Sequence, residues 1–301
     1  MLQRGLHPSS ESRRVVQGLL FISPWLIGFL IFAVYPIAAS AFYSFTQYDV
    51  LTSPKFVGFA NYAELLTRDE TMRVVTQNTF WWVGIAVPLG VAVAFLLANF
   101  LNAEIWGRSA FRAIFFIPSI IPAVVATLVW QWVLNPQYGL IDGYLASLGL
   151  RIIPFLGSPL LSKPTLTLVH CWAQGSAIVI FLAALQDVPR TLYEAALVDG
   201  ANAWHRFWRI TVPLCTPAML FLLVTGLIGG FQNFTFPWLL TQGGPARSTE
   251  FYSIYLYRNA FMYFKMGYAS ALAWLLFLLV VVVTVLVFRS SARWAYYGSS
   301  E

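Results

Sequence analysis

Residues 191–213 read TLYEAALVDGANAWHRFWRITVP and form the one long polar-bearing stretch with internal design between two deeply apolar ones. Thr191-Leu-Tyr-Glu194 has the T-x-x-E form of a capping box, in which the Thr hydroxyl and the Glu carboxylate each satisfy a free backbone N–H. A short helix is expected to start there. Ala196, Gly200 and Ala203 fall at i, i+4 and i+7, a stripe of small residues that lets another backbone come close. Gly200 is placed to end or bend the helix. Leu192, Tyr193, Leu197 and Val198 are expected to anchor it, while Arg206 and Arg209 hold the segment at a water boundary. The stretch reads as a docking knob.

The remainder of the chain is scaffold of a membrane type. Of 301 residues 59% are hydrophobic and 10% charged, with a mean hydropathy of +0.70, against roughly 25% charge in a soluble domain. A bilayer-crossing helix needs about 20 apolar residues. Six such runs occur, at 19–45, 77–101, 113–134, 165–186, 213–240 and 270–289. The expected fold class is all-α integral membrane, with six transmembrane helices and a short helix between the fourth and fifth. The boundaries are a tail at 1–18, a six-span domain at 19–289 containing the segment 191–213, and a tail at 290–301. Pro24, Pro36, Pro217 and Pro237 in the long first and fifth runs imply kinks or tilt. Six crossings put both termini on one side. With the termini inside, ten Lys and Arg lie on the inner segments and eight on three long outer loops, at about 46–76, 135–164 and 241–269. The denser inner charge makes both termini and residues 191–213 cytoplasmic. Trp81, Trp82, Trp130, Trp132 and Trp238 lie near span ends and fit an aromatic belt.

Catalysis finds no support in the residues. The three lysines follow Pro54, Ser162 and Phe264, so no Gly-Lys step of an ATP-binding loop exists. His7, His170 and His205 have no metal-ligand spacing, and no nucleophile elbow occurs. Cys171 and Cys215 sit in or beside apolar runs and read as packing residues. Basic residues are spread thinly, which argues against a nucleic-acid partner. Charges are missing from the middle of the spans, which weakens a proton- or sodium-coupled carrier. The spans instead hold neutral polar and aromatic groups: Asn78, Gln131, His170, Trp172, Gln174, Ser176, Gln232, Asn233 and Thr235. Such groups suit an uncharged polyhydroxylated ligand, and they equally suit interhelical hydrogen bonding.

Glu194-Ala195-Ala196, three residues, Gly200, nine residues, then Ile210-Thr211-Val212-Pro213 follow the pattern E-A-A-x3-G-x9-I-x-L-P, with Val212 where the pattern has Leu. Supporting stretches are Ser23-Pro24, Gly58-Phe59-Ala60-Asn61-Tyr62, and Gly243-Gly244-Pro245 leading into the Tyr-rich run after it. In these the chain resembles the integral-membrane permease subunits of bacterial ABC importers, in the carbohydrate branch that includes maltose- and glycerol-3-phosphate-type systems. The resemblance implies a permease of the bacterial inner membrane that pairs with a second, similar permease and with two ATPase subunits. It further implies that those ATPase subunits bind the ATP and Mg, with no cofactor in this chain, and that an extracytoplasmic binding protein delivers the sugar. Glu194, Ala195, Ala196, Asp199 and Gly200 then couple to the ATPase, Glu194 either by contact or only by capping its helix. The substrate path falls on Asn233, Gln232 and Trp172, with Gln174 and Ser176 beside them. Trp172 and Ser176, four apart, are expected to share a helix face. The competing readings are a permease for another small polar solute such as glycerol-3-phosphate, a self-contained secondary carrier, and a membrane-embedded enzyme.

Overall fold

The computed structural model describes residues 10–104 and 106–296. Residues 1–9 and 297–301, the outer parts of the two expected tails, lie outside the described residues. Four helices are long and apolar enough to cross a membrane: Gln17–Ser44, Glu70–Asn102, Ala203–Phe231 and Met266–Ser291. Counting each of two bent pairs as one span gives six: Arg108–Ile120 with Ala123–Val133, bent by 104°, and Ser162–Trp172 with Gly175–Gln186, bent by 50°.

Three spans carry a wide helical turn at the same distance from a proline. The five-residue turns are Leu30–Val34, Trp82–Ala86 and Phe207–Thr211, and Pro36, Pro88 and Pro213 each stand two residues beyond. In each, the N–H just ahead of the proline reaches back five residues: Tyr35 to the Leu30 carbonyl, Val87 to Trp82, and Val212 to Phe207. Proline lacks an N–H and its ring crowds the carbonyl four residues earlier. One extra residue in the preceding turn moves that carbonyl aside and keeps the backbone bonded. Pro213 therefore sits inside a continuous helix, and the fifth span starts at Ala203, not at 213.

Its other end also differs from expectation. The helix stops at Phe231 and a separate helix runs Thr235–Thr241, so 213–240 is not one span. Pro237 is the third residue of the new helix, where no N–H is needed, and it kinks nothing. The third run breaks where Ile121, φ −70° and ψ 126°, precedes Pro122, because a residue ahead of proline is pushed out of the helical region.

The chain divides into two compact units, one made of the chain up to Glu64 with Asn259–Trp274, the other of Leu65–Arg258 with the chain from Leu275. In the first, the apolar stretch of Gln17–Ser44 is buried nowhere within the chain. Beyond it a two-residue hairpin pairs Thr46 with Phe56 and Gln47 with Lys55. The Asn61 amide donates to the carbonyls of Ser44 and Thr46, both at 2.9 Å, and the Tyr62 hydroxyl to Ser44 Oγ at 2.7 Å. The Gly58-Phe59-Ala60-Asn61-Tyr62 stretch thus locks the end of the first span.

In the second unit one core joins the second, fourth and fifth spans through Ala94, Phe95, Ala98, Phe181, Leu185 and Cys215. Two glycines set how closely the spans approach. A Cβ on Gly90 would stand 2.8 Å from His170 Nε2, and one on Gly175 would stand 2.9 Å from the Phe115 carbonyl and 2.8 Å from Ser119 Oγ. Of the belt candidates, Trp82 is 3% exposed and packs on His170 and Phe251. Trp130 meets Trp172 edge-on at 5.5 Å. Trp132, 50% exposed, is turned outward.

Candidate functional site

The helix of the E-A-A segment is Arg190–Val198, with Pro189 as its N-cap at φ −60° and ψ 126° and no side-chain capping bond. The expected capping box is absent because Thr191 lies one residue inside the helix. Proline takes the cap position instead, with its φ already fixed and no N–H to satisfy. Glu194 is exposed and has no capping role. The C-terminus follows expectation. Gly200 is left-handed at φ +79°, its N–H donates to the Leu197 carbonyl at 3.0 Å, and the Ala201 N–H donates to the Ala196 carbonyl at 2.8 Å. This is the paired bonding of a Schellman cap.

The side chains divide differently from the sequence reading. Leu192, Leu197 and Val198 were expected as anchors, yet they are 43%, 55% and 89% exposed. Tyr193 alone packs against the inner core, beside Phe207 and Ile210, and its hydroxyl lies 2.9 Å from Thr211 Oγ1. No atom lies within 4 Å of where a Gly200 Cβ would be. Ala195 and Asp199 are exposed and Ala196 is half-buried. The helix therefore presents three apolar side chains, Ala195 and Glu194 outward, and holds on to the bundle through Tyr193. Asn202 then caps the fifth span by accepting from the His205 N–H at 2.9 Å. The sequence carried this signal, an Asn directly ahead of an apolar helical run.

The five path residues fall on two helix breaks. Trp172 ends one half of the fourth span and Ser176 is the second residue of the other. The break at Ala173 and Gln174 separates them, so they do not share a helix face. Gln174 Nε2 lies 3.0 Å from His170 Nε2 and 3.2 Å from the His170 carbonyl, a bridge across the break. Ser176 is exposed. Gln232 and Asn233 occupy the interruption after the fifth span, where their N–H groups close the helix on Gly229 and Gly230 at 3.2 and 3.3 Å. Among the described residues neither amide side chain has a hydrogen-bond partner. Beside them Phe234, Trp238 and Tyr257 form a cluster with ring centroids 5.0–5.6 Å apart. Residues 235–241 pack on Ala123–Val133 and touch Ser162–Trp172, and the Gln131 amide donates to the Leu239 carbonyl at 2.5 Å.

The loop that follows is built, not loose. Asn78 Nδ2 donates to the carbonyls of Arg247 and Glu250 at 2.7 and 3.0 Å, and the Tyr252 N–H donates to Thr79 Oγ1 at 2.9 Å. Glu250, 2% exposed, is ion-paired to Arg258, whose other nitrogen donates to the Gln242 carbonyl at 2.7 Å. Gln242, Ala246 and Arg247 are left-handed at φ 49°, 48° and 59°, a conformation that costs about 1–3 kcal/mol per residue and persists where the surroundings over-determine it. Burial, with Tyr255 beside it, pushes the Tyr252 phenol well above its ordinary range, so it stays protonated. The sequence showed the Gly-Gly-Pro turn but not its anchors, because Asn78 lies in the second span, 169 residues away from Arg247.

Six spans, two of them broken, with a short helix projecting between the fourth and fifth, define the membrane subunit of a transporter. The chain belongs to the family of binding-protein-dependent transport system inner membrane components, which matches it over residues 86–296. It is 39% identical to a probable ABC transporter permease protein of Bacillus subtilis (strain 168), over 100% of both chains. It is 32% identical to the trehalose/maltose transport system permease protein MalF of Thermococcus litoralis, over 96% of this chain and 98% of that one. Among solved structures it is similar to a chain of a bacterial alginate ABC transporter in complex with an alginate pentasaccharide-bound periplasmic protein. That likeness has a TM-score of 0.83 and 25% identity, and covers 96% of this chain and 98% of the other.

Proposed function

We propose that this chain is one of two permease subunits of an ATP-driven sugar importer, and that its Arg190–Val198 helix receives the motion of an ATP-binding partner. The observation that carries the reading is the exposed face of that helix, with Leu192, Leu197 and Val198 turned outward and Glu194 free of any capping role. Exposed apolar groups of this kind mark a contact surface. In this reading the termini and residues 190–211 face the cytoplasm, the two ATP-binding subunits supply ATP and Mg, and a binding protein delivers sugar at the loop of residues 241–258. The similarity to sugar permeases supports the substrate class.

Closure of the ATP-binding partners displaces the helix, and Tyr193 passes the displacement to Thr211 and the fifth span. The far end of that span carries Gln232 and Asn233, whose amides accept and donate to sugar hydroxyls while Phe234 and Trp238 offer apolar faces to the ring. A site of neutral amides selects by hydrogen bonding, since an unpaired amide costs about 1–3 kcal/mol. The test is reconstitution of the chain with a second permease, ATP-binding subunits and a binding protein in proteoliposomes. Uptake of labelled mono- or oligosaccharide should require ATP and the binding protein. Uptake driven by an ion gradient without ATP would refute the reading.

A further inference from the structure

Next to the Arg190–Val198 helix a cavity of about 1270 Å³ is lined by four arginines, Arg108, Arg112, Arg190 and Arg206, and by a single carboxylate, Glu104. Among the described residues no carboxylate pairs with any of the four. The Nε atoms of Arg108 and Arg112 are buried without a hydrogen-bond partner, although Arg112 Nη2 donates to the Leu101 carbonyl at 3.2 Å. Buried cationic donors left unpaired are costly, and an anion with several acceptor oxygens removes that cost.

A second cavity of about 430 Å³ shares Arg112 and Gln186 with the first and is otherwise apolar, walled by Phe116, Ile178, Val179 and Leu182. It lies where the third and fourth spans meet, and its rim is open, with Phe116 39% and Val179 47% exposed. A soluble anion would use only the first cavity. An amphiphile with an anionic head and a hydrocarbon chain uses both, and Arg112 stands at the junction of the two.

We infer that this pair of cavities is a binding site for an anionic phospholipid, the phosphate held by Arg108, Arg112 and Arg206 and an acyl chain laid along Phe116 and Val179. Basic pockets between membrane helices recognise lipid head groups in this manner. The site borders Tyr193 and Leu197, so a bound lipid props the foot of the Arg190–Val198 helix.

The test is native mass spectrometry of the full-length chain, delipidated in mild detergent and then given phosphatidylglycerol or phosphatidylcholine with matched acyl chains. Phosphatidylglycerol should be retained in preference. Arg108→Ala should lower that retention roughly fivefold, the equivalent of about 1 kcal/mol per basic residue at an anionic surface. Val179→Trp, on an exposed face, should fill the groove and lower retention with every arginine in place. It also keeps the test valid if Arg108→Ala fails to fold. Equal retention of the two lipids, or unchanged retention in Val179→Trp, overturns the inference. Complete displacement of the lipid by millimolar inorganic phosphate would assign the arginines to a soluble anion and overturn it as well.

Discussion

The hydroxyl of Tyr193 lies 2.9 Å from Oγ1 of Thr211, and this bond joins the projecting helix to the foot of the fifth span. Thr211 is 4% exposed and closes the wide turn ahead of Pro213. A wide turn is a place where a helix can change its local bonding at low cost. Force applied to Tyr193 therefore arrives at the part of the span best able to yield.

Tyr193→Phe keeps the ring in the core and deletes the bond. Stability should fall by about 1 kcal/mol, a small shift in thermal unfolding, while transport per ATP hydrolysed falls by a larger factor. Equal loss of transport and hydrolysis would show that Tyr193 serves folding alone.

Gly200 separates backbone conformation from clearance. Gly200→Asn retains a residue tolerant of the left-handed region, whereas Gly200→Ala incurs about 1–2 kcal/mol. Gly200→Trp adds bulk where nothing lies within 4 Å in this chain. Co-purification with the ATP-binding subunits should survive Gly200→Asn and fail in Gly200→Trp. Intact assembly, hydrolysis and transport in Gly200→Trp would refute docking at this helix.

Asn233→Ala should leave thermal stability unchanged, because among the described residues its amide has no partner to lose. Transport should drop roughly tenfold, the effect of about 1.4 kcal/mol of lost ligand bonding. Asn78→Ala is the contrasting case. Its amide holds the carbonyls of Arg247 and Glu250, so its loss should cost about 1–3 kcal/mol of stability. Uptake kinetics and thermal melts of the two variants check both expectations.

Removing Arg258 leaves the buried Glu250 carboxylate only its longer ion pair with Arg247, at 3.7 Å. Arg258→Ala should destabilise by about 3–5 kcal/mol, and adding Glu250→Gln should recover part of that loss because the buried charge is gone. A melt of the double variant no higher than that of Arg258→Ala would mean that the ion pair does not hold the loop.

Gly175→Ala tests the packing of the third span on the fourth. Its Cβ would meet the carbonyls of Phe115 and Phe116 at 2.9 and 3.0 Å, backbone atoms that cannot turn aside. Overpacking of this kind costs about 1–3 kcal/mol. The thermal midpoint should drop accordingly, and a neutral result would mean that the two spans can part.

By itself the sequence determined the membrane class, the number of spans and the place of the E-A-A helix, because apolar run length and the Gly200 stop are local properties of the chain. Tertiary structure decided where spans break and which side chains are free. Trp172 and Ser176 follow a helical spacing in sequence, yet the fourth span bends by 50° between them, where Gly175 packs close to the carbonyls of Phe115 and Phe116. Thr191 and Glu194 spell a capping box, yet Pro189 starts the helix first. Leu197 reads as an anchor no less than Tyr193 does, and Asn233 is a span amide no less than Asn78. Only packing distinguishes them from Tyr193 and Asn78, since burial and partnership depend on residues far away in the chain that no local pattern encodes.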